Sequence, residues 1–327
     1  MNPGSHSFDV QYLKLLQSIQ SDGIWKHNTK GSNCTLSSAF TLNVDLYDSS
    51  GKDRNLLPLT SLRNLYGGRG ALVEALWYLR GEDDATFLQR NKCAFWDKQA
   101  IDKDSKPSWV GLNYGLLTHF PGTPGQSPIN QLEQNVISRL LKEGSCSRNM
   151  ICSLGKPGED TVQEACTACV QFSVSLLPNK NAESEEQVEE ALDLTVTQRS
   201  SDVMVGLPHD VVVWSIILHL VRREVWIRSR RKLLAGKLSF TINQNAAHVY
   251  QVNHQEMLEI LQRKPIPDCQ PHLVIDGEET QDGGTMNERS MFEFAKSYDD
   301  ANIKKLFRIK DYTKNVHHPA IKLSQAM

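Results

Sequence analysis

The sequence has no long apolar run, no excess of one charge and no cysteine framework. Its longest apolar stretch, VVVWSIILHLV at 211–221, is far shorter than a membrane span and contains a histidine. The net charge of -2 gives no sign of a nucleic-acid partner. The seven cysteines are scattered and odd in number, which favours a reducing compartment over disulfide bonds. Together with an N-terminus, MNPGSHSFDV, that lacks a signal-peptide pattern, these absences predict a cytoplasmic protein that binds neither membranes nor nucleic acid.

Other absences concern particular kinds of site. The sequence contains no glycine-rich phosphate loop, no internal repeat and no low-complexity tract. Cys166 and Cys169 form a C-x-x-C, but no second C-x-x-C accompanies them, as a zinc site would need. His248 and His254 are too widely spaced to be persuasive metal ligands. We therefore expect no metal.

Helical and β-type segments alternate along the chain without a clear linker. A composition of 39% hydrophobic and 23% charged residues is typical of a globular protein. The alternation predicts one α/β (α+β) domain over residues 1–327, with an acidic hairpin insertion near 181–191. The expected helices are at 8–20, 72–81, 129–144, 209–226 and 254–263. The expected β-strands lie within 34–48, 149–154, 168–177, 192–199 and 238–252.

The C-x-x-C runs into a predicted strand. Alternating apolar residues after Cys169 indicate a strand that begins near Cys166. Side chains three positions apart on a strand point to opposite faces, so the two thiols would not share a metal. A redox C-x-x-C opens a helix instead, and nothing after Cys169 looks helical. These residues alone leave open one reactive thiol or two buried cysteines.

Several blocks, in the same order, resemble the thymidylate synthase family. Cys166 lies five residues before Gln171 on the predicted strand, as the nucleophile of that family does. Further on, QRSSDVMVGLPHDVVVW at 198–214 is similar to the family's stretch R-S-x-D-x-x-x-G-x-P. Other similar blocks are PLTSLR at 58–63, EALWYLRGEDDATFLQRNKCAFWD at 74–97, GLNYG at 111–115, CSRN at 146–149, HVY at 248–250 and HPAIK at 318–322. The resemblance implies a twisted mixed sheet flanked by helices, and a homodimer formed through the sheet.

The resemblance also implies the chemistry. Enzymes of this family transfer a one-carbon unit from 5,10-methylenetetrahydrofolate to C5 of a pyrimidine nucleotide. Cys166 would be the thiolate that adds to C6, with Arg199 nearby to favour its ionised form. Glu74, on the apolar face of a helix, would handle protons. Considered alone, Glu74 could equally be a salt-bridged helix glutamate.

Phosphate binding shows departures from the family pattern. The substrate residues that the resemblance implies are Arg199, Ser200, Arg148, Lys30, Gln171, His248 and Tyr250. Arg148 would come from the neighbouring subunit of the dimer. The family usually has arginine where Asn149 and Lys30 stand. Either a nearby base such as Arg63 compensates, or the phosphate pocket is rearranged.

The folate side of the site is implied by a second group of residues. Its members are Phe95, Trp96, Asp97, Asp202 and Gly206. The indole of Trp96 would stack on the pterin and the carboxylate of Asp202 would bind its amides, although a core aromatic is the commoner fate of a tryptophan. The C-terminal tail at 316–327 would fold over the occupied site and exclude water.

Asp210 is the most informative departure. Thymidylate synthases have asparagine there, because an amide can accept from uracil N3–H and donate to O4. Cytosine inverts that edge, and a carboxyl group can accept from its N4 amino group and share a proton with N3, so Asp210 implies cytosine. Alternatively, Asp210 could cap the following helix. Thr167 and Gln99 replace a histidine and a tryptophan of the family, and the segment around Thr167 is similar to the dCMP hydroxymethylases of T-even phages.

The resemblance thus implies a hydroxymethyltransferase acting on dCMP or CMP, and Asp210 counts among its catalytic residues. A 5-methyl-dCMP synthase or a divergent thymidylate synthase remains open. A more distant alternative is an inactive nucleotide- or RNA-binding homologue, which the residues Lys30 and Asn149 suggest. Retention of Cys166 and Glu74 argues against inactivity. A redox or zinc protein is a third possibility.

Overall fold

A computed structural model describes most of the chain. The described residues are 7–27, 34–47, 55–142, 147–155, 161–178, 188–266, 270–275, 290–297, 307–312 and 317–324.

The helices fall largely where the apolar periodicity predicts them. They are α1 (Phe8–Asp22), α2 (Arg69–Arg80), α3 (Thr86–Arg90), α4 (Ser138–Leu140), α5 (Leu207–Ser229), α6 (His254–Leu261) and α7 (Met291–Ser297). Short 3₁₀ turns occur at Tyr66–Gly68, Tyr114–Leu117 and Gln251–Asn253. Gly81 ends α2 with a left-handed φ of 67°, the conformation that glycine adopts most readily at a helix C-terminus.

The strands are β1 (Ile24–His27), β2 (Cys34–Asp45), β3 (Asn55–Leu56), β4 (Ile101–Lys103), β5 (Lys106–Trp109), β6 (Ile151–Ser153), β7 (Thr167–Pro178), β8 (Val188–Gln198), β9 (Ser201–Asp202), β10 (Leu234–Tyr250), β11 (His272–Ile275) and β12 (Phe307–Lys310). Five of the strands, β2, β6, β7, β8 and β10, fall on the predicted β-type segments, and the sequence did not indicate the others.

Within the described ranges, seven of these strands form one mixed sheet. Its order is β1-β2-β10-β8-β7-β6, with β9 also paired to β10. β10 runs parallel to β8 and β9 and antiparallel to β2, while β7 is antiparallel to both β6 and β8. The smaller sheets have the orders β12-β11-β3 and β4-β5. The predicted twisted mixed sheet flanked by helices is confirmed.

The long helix α5 is the buried centre of the fold. Almost every side chain from Leu207 to Val225 is buried, as expected of a helix that is apolar all round. It packs against β8 and β10 and also against α2. Trp214 is 1% exposed, and its ring centroid lies 5.7 Å from that of Tyr78 on α2. The contact between α2 and α5 positions the first turn of α5 beside the middle of α2.

A kink in β10 creates room at one end of the sheet. The register between β10 and β2 shifts between Ile242 and Ala247, and Asn245 has a left-handed φ of 58°. β8 ends opposite Ile242, and β9 begins opposite Ala247. Arg199 and Ser200 connect the two strands across this gap. Such irregularities re-aim side chains and often border functional sites.

Two sequence predictions need correction. The helix expected at 129–144 is shorter: Leu132–Ile137 is a π-helix, followed by the single turn of α4. The amide of Gln131 donates to the carbonyls of Leu116 (2.7 Å) and Ser153 (2.8 Å), which ties this segment to its neighbours. In the acidic stretch 181–191, residues 188–191 belong to β8 rather than to a hairpin tip. The remainder of that stretch lies outside the described residues.

Replacement of Gly236 by alanine should destabilise the protein. A Cβ at this position of β10 would lie 2.9 Å from the carbonyl oxygen of Leu192 and 2.0 Å from Oδ1 of Asp193. That carboxylate already accepts a hydrogen bond from the backbone N–H of Lys237 at 2.6 Å, so it cannot move freely. We expect Gly236→Ala to lower the free energy of unfolding by about 1–3 kcal/mol in urea titrations.

The matched control is Gly155→Ala, since a Cβ there would meet nothing within 4 Å among the described residues. This variant should remain within about 0.5 kcal/mol of wild type. Equal unfolding midpoints for the two variants would contradict the close packing of β10 on β8.

Candidate active site

The kink in β10 borders a cavity of about 500 Å³, a volume suited to a small-molecule ligand. Side chains from the sheet, α2 and the first turn of α5 line it. The lining residues include Lys26, Glu74, Tyr78, Phe95, Trp96, Gln99, Tyr114, Cys166, Arg199, Ser200, Asp202, Gly206, His209, Asp210, His248 and Tyr250.

Cys166 lies in this cavity, immediately before β7. Cys169, within β7, is not among the lining residues, and a register irregularity lies between Thr167 and Cys169. The two thiols of the C-x-x-C therefore occupy different environments. The backbone N–H of Arg199 donates to the carbonyl of Cys166 at 2.9 Å, which joins the start of β7 to the end of β8.

Glu74 projects from α2 into a cluster of nitrogen and oxygen donors. Its side chain is buried, and Oε1 accepts a hydrogen bond from Nε1 of Trp96 at 2.7 Å. The hydroxyl of Tyr78, one turn further along α2, lies 3.4 Å from the same oxygen. Oε2 lies 2.7 Å from Nε2 of His209 in the first turn of α5. The carboxylate is thus held from both sides inside the cavity.

Asp210 presents a partly buried carboxyl group at the same end of the cavity. Burial raises the pKa of Asp210 from its ordinary value to about 7, and the neighbouring carboxylate of Glu74 adds to the rise. Gln198 donates from Nε2 to Oδ2 of Asp210 at 2.6 Å. The alternative that Asp210 caps α5 is wrong, because Gly206 is the N-cap residue and Asp210 lies inside the first turn. Its carboxyl group is therefore available to the cavity.

Two of the predicted phosphate residues, Arg199 and Ser200, line the cavity. The guanidinium of Arg199 donates to the carbonyls of Ala165 (2.9 Å) and Glu164 (2.7 Å), and it is partly exposed. Lys26 of β1, which the sequence did not single out, also lines the cavity. Arg199 and Lys26 thus bring two positive charges to the cavity wall, and the carboxylate of Glu164, which also lines the cavity, lies 3.8 Å from Nε of Arg199.

The other predicted phosphate residues lie elsewhere. Arg148 and Asn149 are exposed outside the cavity, and Gln171 donates from Nε2 to the carbonyl of Arg148 at 3.0 Å. The proposal that Arg63 compensates is wrong, because its guanidinium is buried and donates to the carbonyl of Met204. Lys30 lies outside the described residues.

The predicted folate residues are brought together with one exception. Phe95, Trp96, Asp202 and Gly206 line the cavity, whereas Asp97 is exposed and does not. Burial raises the pKa of Asp202, against the lowering effect of His248. One carboxylate oxygen of Asp202 accepts from the backbone N–H groups of Met204 (3.0 Å) and Val205 (3.1 Å), which fixes the turn before α5.

The nucleoside residues share one face of β10, as their spacing predicts. The rings of His248 and Tyr250 line the cavity and meet edge to face, with centroids 5.0 Å apart. Burial, followed by the charge of Asp202, raises the pKa of Tyr250 to about 12, so its hydroxyl remains a hydrogen-bond donor near neutral pH.

The described part of the C-terminal tail, 317–324, is docked on the protein. His318 donates its backbone N–H to the carbonyl of Ser61 at 2.7 Å. Asn253 and Ser324 exchange two hydrogen bonds, at 2.7 and 2.8 Å. These contacts hold the tail in place, and its lid role stays a prediction.

Among the described residues, no group of three or more His, Cys, Asp or Glu side chains is arranged to hold a metal ion. No helix in the described ranges is long and apolar enough to cross a membrane.

Sequence reasoning missed several residues of the site: His209, Tyr78 and Tyr114 line the cavity, and Gln198 lies behind it against Asp210. Gln198 and His209 both lie within the sequence block at 198–214. Neither residue type indicates a role in the site by itself, and their roles follow only from their contacts with Asp210 and Glu74. Tyr78 and Tyr114 look like core aromatics, and their rings stack with centroids 4.1 Å apart. Only the i, i+4 spacing of Glu74 and Tyr78 on α2 could have indicated their contact.

Asp210→Asn tests the raised pKa of this carboxyl group. In the unfolded chain the carboxyl group of Asp210 loses its proton near its ordinary pKa of 3.8. In the folded protein, where its pKa is raised to about 7, the same group keeps the proton up to about pH 7. The folded state then binds more protons, so the free energy of unfolding falls as the pH rises from about 4 to 7. Asparagine does not titrate, so the stability of Asp210→Asn relative to wild type should increase over that interval by about 3 kcal/mol. Urea titrations across that pH range measure the difference, and a difference independent of pH would contradict the assignment.

Comparison with known proteins agrees with this geometry. The chain matches the family model described as "Thymidylate synthase" over residues 10–327. It is 30% identical over 280 residues to the thymidylate synthase of Pseudoalteromonas translucida (strain TAC 125), covering 81% of this chain and 87% of that protein. It is 24% identical over 268 residues to the thymidylate synthase of Coxiella burnetii (strain RSA 493 / Nine Mile phase I), covering 81% of this chain and 88% of that protein. The narrower resemblance to hydroxymethylases stays a prediction. The chain therefore belongs to the thymidylate synthase family, whose members transfer a one-carbon unit from methylenetetrahydrofolate to a nucleotide.

Proposed function

We propose that this protein transfers a hydroxymethyl group to C5 of a cytidine monophosphate, dCMP or CMP, using 5,10-methylenetetrahydrofolate and water. The observation that carries the proposal is the carboxyl group of Asp210, which lies in the cavity where the family resemblance expects an asparagine amide. With a pKa of about 7, this group carries a proton part of the time near neutral pH. It can therefore accept from the N4 amino group of cytosine while sharing a proton with N3.

Gln198 supports this reading of the base edge. Its Nε2 donates to Oδ2 of Asp210, which favours Oδ2 as an acceptor and holds the carboxyl group in one orientation. Within the described residues, Oε1 of Gln198 is buried without a hydrogen-bond partner. Buried polar atoms are normally satisfied, so this oxygen, which belongs to a residue behind the cavity wall, is suited to a bound water.

Cys166 supplies the covalent step. Its thiolate bonds to C6 of the base, which gives C5 the character of an enamine carbon and lets it attack the one-carbon unit. The hydrogen bond from the backbone N–H of Arg199 to the carbonyl of Cys166 holds the nucleophile next to Arg199, one of the residues that bind the phosphate in this proposal. Glu74 stands in the same cavity and handles the protons of the later steps.

The second half of the reaction decides the product. An exocyclic methylene at C5 becomes a methyl group with hydride and a hydroxymethyl group with water. Gln99 lines the cavity beside the folate residues, and its buried Oε1 has no hydrogen-bond partner among the described residues. Oγ of Ser201 is likewise buried and has no hydrogen-bond partner among the described residues. Polar positions of this kind can order a water molecule, which favours hydroxymethyl transfer.

Arg199, Ser200 and Lys26 bind the phosphate in this proposal. A lysine on β1 offers a point charge, in contrast to the bidentate geometry of the family's arginines. Arg148 is exposed on this chain, so it reaches a phosphate only from the neighbouring subunit of a homodimer. On the folate side, Phe95 and Trp96 provide aromatic surface.

Methyl transfer is the second candidate, because the similar proteins from Pseudoalteromonas translucida and Coxiella burnetii are thymidylate synthases. Methyl transfer oxidises tetrahydrofolate to dihydrofolate, whereas hydroxymethyl transfer does not. The folate product therefore separates the two candidates.

Incubation of the purified protein with methylenetetrahydrofolate and equal amounts of dCMP, CMP and dUMP tests the proposal. Mass spectrometry should show that a cytidylate gains CH₂O, without formation of dihydrofolate in the optical assay. A gain of CH₂ with dihydrofolate would establish methyl transfer instead. Preferential turnover of dUMP would contradict the assignment of Asp210.

Three variants in the same assay test the roles of Cys166 and Asp210, with Cys169 as the control position. Cys166→Ser should lose turnover, while Cys169→Ser, from the same motif but outside the cavity, should retain it. Asp210→Asn should shift the ratio of kcat/KM for dUMP over dCMP by about 100-fold or more, because the amide pairs with the uracil edge.

A further inference from the structure

The two oxygens of the Glu74 carboxylate contact nitrogens of different chemistry. Oε1 accepts from the indole N–H of Trp96 at 2.7 Å, and Oε2 lies 2.7 Å from Nε2 of His209. An indole N–H always donates and does not titrate, whereas an imidazole nitrogen either donates or accepts and exchanges its proton near neutral pH. Of these two contacts, only the one with His209 joins the carboxylate to a group that can accept a proton. The two atoms are close, but Nε2 of His209 makes no hydrogen bond by geometry among the described residues, so a small rotation of the ring or of the carboxylate must accompany a transfer.

The imidazole of His209 is fixed in this position by packing. Its ring is 8% exposed and lies against the ring of Phe95, with centroids 4.1 Å apart. On α2, a Cβ at Gly70 would lie 3.1 Å from Cε1 of His209. Gly70 and Glu74 are one turn apart on the same face of α2, so the imidazole lies across that face. The absent side chain at Gly70 is what allows the ring to reach Glu74.

Other titratable or charged groups surround this pair. They are Arg69, Tyr78, Cys93, Tyr114, Asp202 and Asp210.

Most of these neighbours keep one protonation state near neutral pH. Burial raises the pKa of Tyr78 well above its ordinary value and that of Cys93 to about 12, so both remain protonated. Asp210, whose pKa burial raises to about 7, can change its protonation state there, and it follows His209 directly in the chain. Its charge therefore acts on both Glu74 and His209.

We infer that His209 is a positioning residue for Glu74, which orients its carboxyl group and holds the proton that Glu74 exchanges during turnover. The inference rests on the proposed function and deepens it. When water attacks the exocyclic methylene, its oxygen bonds to that carbon and its proton passes to the carboxylate of Glu74. The exocyclic C=C bond breaks, its electron pair re-forms the C5=C6 double bond, and the electron pair of the C6–S bond leaves with Cys166 as thiolate. Nε2 of His209 then accepts the proton, so that Glu74 is again a carboxylate.

His209→Gln is the decisive variant, because a glutamine amide can donate to Glu74 but cannot hold a proton. We expect kcat to fall by about 100-fold, the size of a typical acid–base contribution, while KM for the nucleotide stays within about 3-fold. The dependence of kcat on pH should also change. His209→Phe keeps an aromatic ring against Phe95 but removes the nitrogen, and should lose at least as much activity. His119→Gln, at an exposed histidine, is the matched control and should retain wild-type kinetics.

A second measurement needs no turnover. The indole N–H of Trp96 contacts Glu74 directly, so its NMR resonance reports the charge of that carboxylate. In His209→Gln the pH dependence of this resonance should differ from that of wild type and of His119→Gln, because the imidazole that contacts Oε2 of Glu74 has been removed. An unchanged kcat and pH profile, or an unchanged Trp96 titration, would overturn the role of His209.

The two proposals fail in different ways. Turnover of dUMP in place of cytidylates overturns the proposed substrate, and the same kinetic comparison of His209 variants is then made with dUMP. If no nucleotide is turned over, the Trp96 titration still decides whether His209 controls the charge of Glu74.

Discussion

The site depends on enclosing the carboxyl groups of Glu74, Asp202 and Asp210 in one cavity. Burial makes each charge costly, and the carboxylates of Glu74 and Asp202 both raise the pKa of Asp210. The protein offsets this cost with donors: the indole of Trp96, the amide of Gln198 and backbone N–H groups near Asp202. The result is a set of acids in different environments, which suits a reaction with several proton transfers.

The packing of α2 against α5 makes that enclosure possible. Glu74 comes from the middle of α2, while His209 and Asp210 come from the first turn of α5. Since α5 is buried against the sheet along nearly its whole length, its first turn cannot shift independently of the core. The kink in β10 then opens the space that these groups face. The catalytic arrangement is thus a consequence of how the core is packed.

Much of the fold could be predicted from the sequence, because α5 is apolar all round and β7, β8 and β10 alternate in the manner of strands. Cys166 and Asp210 could be placed in the site because their family context is specific. The contact of His209 with Glu74 could not, since it joins residues far apart in the sequence through a gap left at Gly70. The π-helix at Leu132–Ile137 has no distinct sequence signal, because its apolar spacing also fits an α-helix.

The central claim is that Asp210 reads the exocyclic amine of a cytosine while Cys166 bonds to its ring. A crystal structure of the protein with dCMP tests it most directly. The account predicts the carboxyl group of Asp210 within hydrogen-bond distance of both N4 and N3, and Sγ of Cys166 bonded to C6 or in contact with it. A cytosine whose amino group faces away from Asp210, or whose C6 is remote from Cys166, would contradict the account.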